Sequence, residues 1–145
     1  MKFHHHFDGE ILVIQKRGED ILELFGAHNH DVIGTKIQLG IIRKPPGVNS
    51  FHDLPSDIPF KANVEMKYGL GVVKKTNTSS FFPRNWDIKR VKEEIAIVYE
   101  GMLKSGKEFK FTNNKFKSMD SSNSFLIQIE FDELGNLTSA YPIVN

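Results

Sequence analysis

An α+β domain, mainly antiparallel β-sheets with one principal amphipathic helix, is the fold class this sequence predicts, and three stretches carry the prediction. From Phe60 to Lys67, Phe60, Ala62, Val64 and Met66 alternate with Lys61, Asn63, Glu65 and Lys67, the period of a strand with one buried face. Ile88, Val91, Ile95, Val98 or Tyr99, and Met102 recur at steps of three and four, the period of a helix with an apolar stripe. Phe125, Ile127, Ile129 and Phe131 alternate with Leu126, Gln128 and Glu130, and Asp132 to Asn136 turns the chain into Leu137 to Val144, a C-terminal hairpin. The 145 residues, 39% hydrophobic with twelve Phe, suffice for one sizeable core, so residues 1–145 are expected to form a single domain.

The remaining elements follow in order. Phe7 to Gln15 is apolar and β-branched and predicts a strand, ended by a turn at Lys16-Arg17-Gly18. Ile21, Leu22, Leu24 and Phe25 form a second apolar cluster, too short for its period to separate helix from strand. Gly26 to Asp31 is small and polar and is expected in a loop outside the core. Thr35 to Ile42 reads as a strand halted by Pro45-Pro46-Gly47, and Val48 to Pro59 as an irregular loop. Tyr68-Gly69 turns the Phe60 strand into Leu70 to Lys75, a hairpin. Thr76 to Ser80 is a hydroxyl-rich turn running into Phe81-Phe82-Pro83 and the one tryptophan, Trp86; these aromatics are expected to pack rather than recognise a ligand. The helix is expected from Asn85 or Asp87 to Lys104, ended by Gly106. Phe109 and Phe111 alternate with lysines and predict a short strand, whereas Asn113 to Ser124 predicts a loop.

Composition narrows the chemistry. Nineteen Lys and Arg against eighteen Asp and Glu leave a formal charge of +1, so any nucleic-acid contact must be local. No apolar run approaches the ~18 residues of a spanning helix, and the N-terminus lacks a signal-peptide core, which predicts a soluble chain with no membrane partner. The absence of cysteine removes disulfides, thiolate nucleophiles and zinc-thiolate sites, leaving His, Lys, Tyr and hydroxyls. Of six histidines, His30 and His52 read as ordinary surface or core residues, whereas His5 and His28 each stand near a glycine turn. Two imidazoles, a lysine and a tyrosine are the inventory of metal-independent RNA cleavage. One imidazole takes the proton of the ribose 2′-OH and another protonates the departing 5′-oxygen, since imidazole titrates near working pH. An ammonium stabilises the charge gained by phosphorus, and an aromatic such as Tyr141 stacks on a base. The competing use is a metal site built on His28, His30 and Asp31, although that spacing matches no recognised ligand motif.

Four segments in order make the chain resemble the EndoU family of endoribonucleases, specifically its bacterial toxin branch. They are His5-His6-Phe7-Asp8-Gly9-Glu10; Gly26-Ala27-His28; Ser79-Ser80-Phe81-Phe82-Pro83-Arg84-Asn85-Trp86 with the helix after it; and Leu137 to Ile143. The resemblance implies an EndoU-like fold, with His28 as general base, His5 as general acid, Lys75 or its neighbour Lys74 as the cation, and Tyr141, Ser139 and Ser80 binding the nucleotide. It further implies cleavage of tRNA or other single-stranded RNA, preferentially beside uridine, to a 2′,3′-cyclic phosphate, with no cofactor. By the same resemblance the chain is expected to be a monomeric effector domain of a larger delivered toxin, acting in a target cell's cytoplasm and neutralised by an immunity protein. The alternative is a catalytically inactive RNA- or protein-binding module on the same scaffold.

Overall fold

The computed structural model describes residues 10–25, 28, 37–41, 54–68, 70–74 and 78–144. Within them nine strands and one helix run β1 (Glu10–Lys16), β2 (Glu19–Phe25), β3 (Ile37–Ile41), β4 (Phe60–Tyr68), β5 (Gly71–Lys74), β6 (Ser79–Phe81), α1 (Ile88–Lys104), β7 (Asn114–Met119), β8 (Leu126–Phe131) and β9 (Leu137–Pro142). All pairings are antiparallel, so the coarse class expected from sequence is the one observed. The ambiguous cluster around Leu22 is a strand, zipped to β1 through a turn in which Arg17 and Gly18 both take positive φ.

β4 is the spine of the second sheet. β3 lines one edge, and β5 and β6 follow one another along the other, with Lys74 opposite Glu65 and Ser79 opposite Ala62. The end of the expected hydroxyl-rich turn is therefore a strand. Ser79 is buried and β6 carries Phe81 onto Phe60, their rings stacked 5.0 Å apart. Alternation along an extended chain sends Phe82 to the other side, where it stacks on Trp86 at 5.7 Å. There it joins Val91, Ile95, Val98 and Met102 of α1 and Ile127, Ile129, Phe131 and Ala140 of the third sheet, in which β8 lies between β7 and β9. The expectation that Phe81, Phe82 and Trp86 are packing residues is met: each is buried.

The helix begins where the sequence indicates. Asp87 accepts the Arg90 amide at 2.7 Å as N-cap, and Gly106, at φ +74°, follows the Ser105 C-cap. Its apolar stripe contains one charged residue, Glu94, which is buried and takes hydrogen bonds from the Ser121 amide and hydroxyl and from Arg90 Nε. A buried carboxylate persists only when its lone pairs are so occupied, and this one ties α1 to the β7–β8 turn. Arg90 also lies 4.6 Å over the Trp86 ring.

Two expectations fail between the helix and β8. Phe109 and Phe111 form no strand, and the polar stretch expected to be a loop contains β7. Asn114 explains the shift: its side chain accepts from the Lys110 amide at 2.7 Å and donates to the Lys110 carbonyl at 2.6 Å, folding residues 110–114 into a turn. Phe109 then packs edge-on against Phe131, 5.3 Å away, over the β8–β9 turn. Gly135 makes room for it, since a Cβ there would lie 2.6 Å from the Phe109 ring at a φ of +83°. β7 is an edge strand with Lys115, Lys117 and Met119 exposed, so it needs little apolar content. Across the sheet, Glu130 pairs with Ser139 but Phe131 with Leu137, a β-bulge that accommodates Thr138. No helix among the described residues is long and apolar enough to cross a membrane.

Phe82→Ala is expected to lower the unfolding free energy by about 3–5 kcal/mol in a urea titration, a loss below about 1 kcal/mol contradicting its place in the core. Asp120, buried in the β7–β8 turn, is pushed upward in pKa by burial. The Ser122 hydroxyl and the Ser124, Phe125 and Ser122 amides outweigh that and hold its carboxyl below the usual value. A depressed folded pKa contributes stability above the unfolded pKa that is lost as pH falls through the folded one. Asp120→Ala should therefore cost about 1–3 kcal/mol at neutral pH, and the gap to wild type should narrow in acid; a constant gap down to strong acid contradicts this.

Candidate functional site around His28 and Tyr141

The site is assembled on β6. The His28 carbonyl accepts the Phe82 amide at 3.0 Å, and His28 Nδ1 lies 2.6 Å from the Ser80 carbonyl oxygen and 3.2 Å from Ser79 Oγ. A carbonyl only accepts, so Nδ1 carries the hydrogen of that bond, and in the neutral ring Nε2 is then the nitrogen without one. His28 is 7% exposed, against the expectation that its polar segment lies outside the core. The bonds to β6 compensate for burying the imidazole, which propensity along residues 26–31 does not reveal.

The ring faces Tyr141 of β9, with centroids 5.6 Å apart and planes inclined by 34°. Gln128 of β8, directly opposite, donates from Nε2 to the phenol oxygen at 2.6 Å. Burial raises the Tyr141 pKa, and the negative charge of Glu130 and a hydrogen bond to its carboxylate add to the rise, while the Gln128 bond works against it. The phenol is thus held neutral beside the imidazole, a donor and a stacking surface in one side chain.

Of the residues singled out by sequence, His28, Ser80 and Tyr141 come together, Ser80 through its carbonyl. Its side chain is half-buried on the face that Lys61 shares across the ladder. Ser139 is half-buried two residues before Tyr141, opposite Glu130. His5, Lys75, His30, His52 and Asp31 lie outside the described residues, and of Lys74 only the backbone is described. Among the described residues no cluster of three His, Asp or Glu side chains is placed to hold a metal ion.

Ser79, Gln128 and Glu130 escaped the sequence reading. The alternation of β8 had already marked Gln128 and Glu130 as solvent-side positions, but an unbulged hairpin would set Gln128 opposite Ala140 instead of Tyr141. The extra residue at Thr138 makes that one-place change, and one place exchanges the faces of a strand. Comparison with protein-family models, with curated proteins and with solved structures returns no match to this chain.

A phenol whose folded pKa is raised stabilises the fold fully below its unfolded value of ~10, and that contribution is lost as pH climbs through the folded value. Ultraviolet titration should accordingly show a late-ionising phenol among the three tyrosines, absent from Tyr141→Phe. Identical alkaline titrations of the two proteins, apart from the amplitude of one ordinary tyrosine, would remove the burial argument.

Proposed function

We propose that this protein is an EndoU-type endoribonuclease with an EndoU-like fold, a toxin domain that cuts single-stranded sites in tRNA or other RNA and leaves a 2′,3′-cyclic phosphate. The observation that carries the reading is the tautomer of His28 beside a neutral tyrosine: Nδ1–H is committed to the Ser80 carbonyl, so Nε2 is the basic atom, and Tyr141 offers a ring to a base. His28 Nε2 takes the 2′-OH proton as the 2′-oxygen bonds to phosphorus, and the bond from phosphorus to the 5′-oxygen breaks. His5 returns a proton to that oxygen, and Lys75, or Lys74, stabilises the charge on the non-bridging oxygens. The reaction needs the 2′-OH, so DNA is inert. It uses no cofactor, and a cognate immunity protein is the partner this reading supplies.

One observation favours a second reading. At 7% exposure and with both its carbonyl and its Nδ1 bonded to β6, His28 also suits a staple in a non-catalytic RNA- or protein-binding module.

Incubation with total RNA in the presence of a chelator is expected to give discrete fragments with cyclic-phosphate ends, and intact RNA under every condition, manganese included, refutes the proposal. His5→Ala and His28→Ala should each slow cutting by about 10²–10⁴-fold. Because His28→Ala removes buried hydrogen bonds, its melting is measured alongside. A variant that melts early and, when folded in the cold, cuts at the wild-type rate assigns His28 to the staple.

A further inference from the structure

Among the described residues, the core uses one face of the third sheet. Ile127, Ile129, Phe131 and Ala140 pack towards α1, so the residues between them face the other way. The registers arrange these in two rows: Lys117 opposite Gln128 opposite Tyr141, and Lys115 opposite Glu130 opposite Ser139. None of the six is buried, and both lysines are exposed. Tyr141 ends the first row at His28, and Lys117 begins it two strand spacings away, about 10 Å.

The segment that leads into and forms this edge strand is basic in sequence, and of its lysines the register places Lys115 and Lys117 on the polar rows. Residues 104–119 contain Lys104, Lys107, Lys110, Lys115 and Lys117 against the one carboxylate of Glu108, a local charge of +4. The whole chain is +1, so the other residues together carry −3. Glu130 interrupts the positive face at its middle, which directs phosphates to the β7 edge and leaves the Tyr141 end for a base. A polar sheet face with an aromatic at one end and cations along its rim is the chemistry that holds an unpaired strand, because a base can stack while neighbouring phosphates are neutralised; a duplex hides the bases.

We infer that this polar face, with the exposed Lys115 and Lys117 at its rim, is the track on which single-stranded RNA flanking the cut lies. The inference rests on the RNA reading of the His28–Tyr141 site and extends it from the reacting nucleotide to its neighbours.

The test is equilibrium binding of a fluorescent single-stranded 2′-O-methyl RNA, which cannot be cleaved, measured by anisotropy over a range of salt. Each phosphate contact on a single strand contributes about 0.7 to the slope of log affinity against log salt. Lys115→Gln with Lys117→Gln should therefore flatten the slope by about 1.4, and Lys115→Arg with Lys117→Arg should restore it. Lys89→Gln with Lys92→Gln, on the exposed side of α1, should leave it unchanged. An equal loss in the α1 pair, an unchanged slope in the β7 pair, or equal affinity for duplex RNA or polyglutamate overturns the track. The ligand is uncleavable, so a wild type that cuts no RNA but binds this strand as described defeats the proposed reaction and supports the track, whereas cutting without the slope change does the reverse.

Discussion

The pairing of three residues, Ser79, Ser80 and Phe81, onto the start of β4 is the contact on which the described structure turns. It fixes the direction of two consecutive phenylalanines, and consecutive residues in extended backbone face opposite ways. Phe81 is stacked on Phe60 of β4, and Phe82 is thereby committed to the cluster between α1 and the third sheet. The same short strand provides the acceptor for the His28 ring and the amide for its carbonyl. Packing and site therefore share one piece of backbone. A ring seated this way inherits the rigidity of two apolar assemblies, which is the condition for holding a proton acceptor at one position.

The third sheet divides its two faces between separate tasks. The side towards α1 is closed by apolar side chains, with Glu94 the one buried carboxylate in the stripe and held by Ser121 and Arg90. The other side carries the rows of Lys117, Gln128 and Tyr141 and of Lys115, Glu130 and Ser139 beside the Met119–Leu126 pair, and its β9 residues are phased by the bulge at Thr138. That irregularity lets Leu137 and Ala140 both join the core while Ser139 and Tyr141 face away from it, which an unbroken alternation would forbid. Tyr141 thus meets His28 because the strand is imperfect.

Where local pattern and burial agreed, the elements were legible in the sequence. β4, β8 and α1 were readable because each has a complete apolar face at the right period, and Asp87 and Gly106 mark the ends of the helix. β7 was not readable, being an edge strand whose exposed lysines resemble a loop, and Phe109 misled in the opposite direction. Its apolar ring belongs over Gly135 rather than in a ladder, a contact made by residues 26 positions apart. The site divides along the same line. His28 and Tyr141 were identifiable as residue types suited to proton transfer and stacking, while Gln128, Glu130 and Ser79 depended on pairing registers.

By itself the sequence determined the α+β class, the helix and the few residues within which it starts and stops, the alternating strands, and the exclusion of thiol chemistry in a chain without cysteine. These follow from interactions within a few residues, where periodicity and side-chain type are sufficient. Only the tertiary structure decided that His28 is buried, that its Nδ1 is the donor, and that Tyr141 lies 5.6 Å from it under the influence of Gln128 and Glu130. Those facts join positions 113 residues apart through a bulged register, and no local pattern specifies which far strand will supply the partner.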